Sequence, residues 1–173
     1  YISRGFSRGA APDNLVFLPS AGRTPGPAVL EAAEVCAACG DIAVVRKGRE
    51  LGVKNMIVTH ALTNVPGLTM AQAKQVADMG AVIEICFLQF LAGPNAPLPF
   101  LTHWTQVNAK NVAQAVKEIG AKSVVVSTDL GQSGNMTHPD GVESAIAAMK
   151  KEGISDADID LMMRKNPARL LGL

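Results

Sequence analysis

The chain carries almost no excess charge: 16 Lys and Arg stand against 15 Asp and Glu, a net of +1 over 173 residues. That excludes the basic footprint with which proteins hold nucleic acid or an anionic membrane surface. It lacks any apolar run of the roughly 18–20 residues that a membrane span needs. The longest apolar stretch, residues 86–101, is broken by Gly93, Pro94, Asn95, Pro97 and Pro99. The opening YISRGFSRGA has charges but no apolar segment behind them, so no leader pattern is read there. Cysteine is scarce, with three in the chain, which argues against a disulfide scaffold and for a reducing, cytoplasmic setting. No G-x-G-x-x-G and no Walker loop follows a strand, so no nucleotide fingerprint is present. What remains is an ordinary globular composition, 48% hydrophobic, enough for one domain with a real core. The expected partner is a small molecule, not a nucleic acid or a membrane, with a homo-oligomer left open.

The apolar pattern alternates between short runs and helical stretches. Strands are expected at 15–19, 34–39, 55–60, 81–87 and 123–127. Helices are expected at 28–35, 43–51, 69–79, 107–119, 139–151 and from Ser155 to a stop before Pro167. Thr69 with Gln72 reads as a capping box, and Gly80 closes the same helix. Strand–helix alternation implies βα units and a parallel sheet. About five units are visible, fewer than a closed eight-stranded barrel of about 250 residues requires. Either an open doubly wound sheet or part of a (β/α)8 barrel satisfies the pattern. The connection around residues 88–104 is long and apolar, with Phe90, Phe100 and Trp104, and suits a pocket wall or a packed loop.

Two strands end in residues that carry chemistry. NMIVTH ends in His60, and SVVVSTD ends in Asp129 ahead of the Gly-rich LGQSGN. Each has a bland reading, a terminal His bonded to backbone or an Asp starting a turn. Their equivalent places in two βα units bring them to one rim, where a metal ligand and a general base belong. Glu84 is a lone acid in AVIEICF, and burying it costs several kcal/mol unless it is paired or ligated. Asp41 precedes a helix as an N-cap residue, and His138 stands before Pro139 at another helix start. LGQSGN at a helix N-terminus also suits phosphate, although it contains no Lys or Arg. Cys36 and Cys39 form a C-x-x-C that reads as structural, unbridged and metal-free, and Cys86 reads as a core residue.

IVTHALTNVPGLTMAQAKQVADMGAVIEICF, followed by VVVSTDLGQSGNMTHPDGVESAIAAMKKEGISDADIDLMMRKNPARLLGL, resembles the carboxyl-terminal half of the amidohydrolase superfamily, near phosphotriesterase-like metal-dependent hydrolases. The resemblance implies a partial TIM (β/α)8 barrel over residues 1–173, its first strands lying upstream of Tyr1. It also implies one or two divalent metals, Zn or Mn, and hydrolysis of an amide, ester or lactone-like bond. By that resemblance His60 is the strand-six metal ligand. Asp129 is the strand-eight Asp, ligating metal and taking the proton from attacking water. Asp41 falls where related sequences place a strand-five His and is expected as an oxygen ligand. The H-x-H of strand one is absent from these residues, so the chain alone is expected to be incomplete and inactive. Glu84, His138 and Trp104 are expected to contact substrate. The rival expectations are a phosphate-binding barrel lyase or isomerase and a non-catalytic binding domain.

Overall fold

Val- and Ile-rich segments too short for helices form strands Leu15–Phe17 (β1), Asn55–Val58 (β2), Val82–Cys86 (β3) and Val124–Ser127 (β4). A computed structural model describes residues 15–17, 41–64 and 67–173. The strands make one open parallel sheet in the order β1-β2-β3-β4. The architecture is mixed α/β, with β2, β3 and β4 each buried along most of their length. The helix expected at 28–35, the strand expected at 34–39, Cys36 and Cys39 lie outside the described residues. Where five units were expected, four strands are described. β1 is the immediate neighbour of β2, with Leu15 opposite Asn55.

Between the strands run helices Asp41–Glu50 (α1), Met70–Asp78 (α2), Ala109–Glu118 (α3) and His138–Lys151 (α4). Thr69 and Gln72 form the expected capping box at the start of α2, satisfying two of the N–H groups that a helix start leaves open. Arg49, near the end of α1, donates to the carbonyls of Val53, Lys54, Met79 and Gly80 at 2.6–2.8 Å. One guanidinium thus ties the ends of α1 and α2 to the entry of β2. Gly80 suits that place because its backbone is left-handed, at φ 83°, and a Cβ would press on the Arg49 guanidinium.

Alternation along the strands divides the side chains between two faces. Met56, Val58, Ile83, Ile85, Val124 and Val126 join the main core with residues of α2, α3 and α4, such as Val76, Val112 and Met149. Each such buried aliphatic contributes about 1.5–3 kcal/mol against exposure. Ile57, Val82 and Val125 point the other way and meet Leu170.

The carboxyl-terminal helix does not stop before Pro167. Helix Asp156–Asp160 (α5) passes through a π-helical turn, Leu161–Lys165, into helix Asn166–Leu171 (α6), with Pro167 in its first turn. Proline is tolerated in a first turn because that N–H needs no helical partner. Asp160 reinforces the wide turn by pairing with both Arg164 and Lys165, at 2.6 and 2.8 Å. Asn166 is fully buried, and its amide donates to the carbonyls of Ala121 and Val124 at 2.8 and 2.7 Å. Asn55 in turn donates to the carbonyl of Leu170 at 3.3 Å, so α6 is fastened to the start of two strands.

The Asn166→Ala variant should lose roughly 1–3 kcal/mol by orphaning those carbonyls, seen as a Tm several degrees lower. Asn166→Asp should be worse, because it sets a carboxylate against two carbonyl oxygens. Thermal melts that rank the two variants the other way would refute this anchoring role.

Candidate metal centre

β2, β3 and β4 all finish at the same rim, and each delivers one ligand-type side chain there. His60 follows β2, Cys86 ends β3 and Asp129 follows β4. One ligand-type atom from each lies within 4.8 Å of the others. His60 Nε2 stands 3.3 Å from Asp129 Oδ2. The two residues that occupy equivalent places in separate βα units are therefore in direct contact.

The backbone there is unusual. His60 and Asp129, at φ 57° and 51°, are the non-glycine residues with left-handed backbone among those described. That region costs an ordinary side chain of order 1 kcal/mol, and His and Asp enter it more readily than most. Such strain concentrates where a side chain must be aimed against the run of the chain. Thr63 steadies the first bend, its hydroxyl and backbone N–H both donating to the carbonyl of His60 at 3.1 and 3.0 Å. Gln132 steadies the second, donating from its side chain to the carbonyl of Asp129 at 2.8 Å.

Burial sets the protonation chemistry. It pushes the Cys86 thiol well above its ordinary range; the charge of Glu84 adds to this, and the Ser127 hydroxyl, donating to the sulfur at 3.3 Å, opposes it. Burial also raises the Asp129 carboxyl, with His60 and His138 pulling it back. His60 is 14% exposed in its side chain, and its Nδ1 is buried without a hydrogen-bond partner. The set offers a nitrogen, a sulfur and an oxygen. Three protein ligands with a position left open is the donor pattern of catalytic zinc sites, and a thiolate favours zinc over manganese.

The long connection after β3 forms the roof. It is ordered as two 3-10 turns, Phe87–Leu91 and Pro99–His103, with Leu88 and Leu101 fully buried. Trp104 meets the His60 ring edge to face, centroids 5.5 Å apart. Asn64, just beyond His60, holds that roof on both sides of the tryptophan. It donates to the carbonyl of His103 and accepts from the N–H of Thr105.

The other expected residues are placed as follows. His138 opens α4 and bonds Thr128 through Nδ1 at 2.7 Å, one residue from Asp129. Glu84 is buried, 9% exposed, on the same face of β3 as Cys86. Asp41 is the first residue of α1, and its side chain lies outside the described part. At the N-terminus of α4 the Thr137 hydroxyl accepts from the N–H of Asp140 and donates to the Asp140 carboxylate, which places a negative side chain where the LGQSGN segment meets the helix. Cys86 is buried as expected of a core residue, 1% exposed, and its membership of this cluster was not anticipated. Its signal was its place at the end of a strand parallel to those ending in His60 and Asp129.

A raised carboxyl pKa means that ionised Asp129 costs the folded state stability at neutral pH. The cost is full above the folded pKa and vanishes below the unfolded value near pH 4. Asp129→Asn keeps a side chain suited to left-handed backbone and removes the charge. It should raise Tm at pH 7 by on the order of 2–4 °C, with the gain fading as pH falls toward about 4 and gone below it. A variant melting lower than the parent at pH 7 would refute this sign.

A family of unknown function (DUF6282) matches residues 38–84, a span that includes His60 and Glu84 and stops short of Cys86 and Asp129. No curated protein and no solved structure matches the chain. Among the described residues no helix is long and apolar enough to cross a membrane.

Proposed function

We propose that this protein is a metal-dependent hydrolase of the amidohydrolase type, acting on an amide, ester or lactone-like bond. The observation that carries the reading is the convergence of His60, Cys86 and Asp129 at the carboxyl rim of a parallel sheet, the end at which α/β folds place chemistry. Sequential strand order without reversal supports an arc of a (β/α)8 barrel over a doubly wound sheet, whose order turns back at a switch point.

The mixed donor set, with His60 Nε2 and Asp129 Oδ2 only 3.3 Å apart, fits a divalent cation, zinc in preference to manganese. Cys86 would bind as thiolate, since a cation reverses the effect of burial on the thiol. A bound metal supplies Lewis acidity and lowers the pKa of water to about 7. Asp129 accepts the proton of the attacking water and returns it to the leaving group. Its burial lifts its basicity above that of a free carboxylate, the direction a general base requires. His60 and Cys86 would hold the cation beside that carboxylate, and Trp104 packs against the imidazole.

Two measurements test this. Titration with Co²⁺ should produce a thiolate charge-transfer band that Cys86→Ser abolishes; a spectrum indifferent to Cys86 would remove it from the ligand set. With Zn²⁺ added, hydrolysis of a panel of esters, lactones and anilides should fall about 10²–10⁴-fold in kcat on Asp129→Asn. The absence of metal-dependent turnover across the panel would refute the activity.

A further inference from the structure

Beneath the rim lies a second feature that the metal reading does not use. A cavity of about 280 Å³ sits between the inner face of the sheet and the carboxyl-terminal elements. Ile57 and Val125 form the sheet wall, and Met163 and Leu170 form the opposite one. The lining is apolar apart from Glu84, Ser127 and Thr128. Both hydroxyls are engaged elsewhere, Ser127 with Cys86 and Thr128 with His138. Glu84 is the one charged group in the wall, and its carboxylate has no hydrogen-bond or ion-pair partner among the described residues.

An acid more than nine-tenths buried without a partner is costly. It is retained at low cost only if a cation or donor completes it. The register leaves no alternative orientation: Glu84 pairs with Val125, so its side chain must share the face of Ile57, Val82 and Cys86. Arg and Lys side chains, which would neutralise such an acid internally, are absent from the lining. The volume is at the low end for ligand pockets, which argues for a small molecule.

We propose that this cavity is a binding site for a small organic ammonium, a primary amine on a short apolar body, with Glu84 as the counter-charge. The ammonium sits against the Glu84 carboxylate, and the hydrocarbon part lies between Val125 and Leu170. This site adjoins the metal centre through Cys86 and Ser127 but binds without metal, so its test uses metal-free protein.

The probes are n-pentylamine as its ammonium ion and 1-pentanol, its neutral isostere. Binding is followed by methyl shifts of Ile57, Val125 and Leu170 in an NMR titration. The amine should bind at least 10-fold more tightly than the alcohol, and Glu84→Gln, which conserves volume, should remove that preference without affecting the alcohol. Equal affinities in the parent protein would overturn the proposal, with no variant required. So would an amine affinity unchanged by Glu84→Gln, or shifts that map away from these methyls. Since no metal is added and no turnover is measured, an inactive hydrolase can still confirm the amine site, and an active one can still fail to show it.

Discussion

The parallel pairing of β3 with β4, from Ile83 opposite Val124 to Cys86 opposite Ser127, fixes nearly everything of chemical interest in this protein. It sets the sulfur of Cys86 beside the Ser127 hydroxyl, brings Asp129 level with the end of β3, and turns Glu84 away from the main core. Side chains alternate with a period of two, so a slip of one residue would move Ile83 and Ile85 off the helical face and bury the charged set beneath the helices. The main core therefore protects the register, and the register protects the site. The backbone bond from Leu88 N–H to the Thr128 carbonyl at 3.0 Å carries the pairing past the strands to the residue before Asp129.

Strain and burial act together at the rim. Two left-handed residues face each other, one an acid whose ionisation is penalised and one an imidazole with a buried, unpartnered nitrogen. Neither feature favours the folded state, and natural proteins tolerate such costs mainly where the chain does something with them. The cost is carried by neighbours with no chemical part. Leu130, directly after Asp129, packs against Gly141 so tightly that a Cβ there would overlap it. The first turn of α4 thereby locks the acid's bend from outside.

Much of this was legible in the residues. Apolar runs located β2, β3 and β4 to within a residue or two, Thr69 and Gln72 marked a helix start, and equivalent βα positions singled out His60 and Asp129. Local rules suffice when the deciding interaction lies within a few residues. They placed Cys86 in the core, where it lies, but gave no sign of its nearness to His60 and Asp129, which depends on its neighbour across the sheet. They gave only a length for the roof, because the contact of Trp104 with His60 spans 44 positions and depends on the Asn64 clamp. Pro167 was read as a stop because a π turn, which prepares the chain for proline, leaves no periodic signature in the sequence.

The fastening of α6 also has a consequence for biosynthesis. Asn55 and the Leu170 carbonyl that it holds are 115 residues apart. At about 5–20 residues per second, translation separates them by on the order of ten seconds. For that interval Ile57 and then Val82 and Val125 line a sheet face whose cover has not been made. A nascent chain in this state presents an apolar, strand-edged surface to chaperones and to its neighbours on the polysome. Yield in a cell should thus depend on elongation speed between Asn55 and Leu170 and on chaperone supply, as well as on the stability of the finished fold.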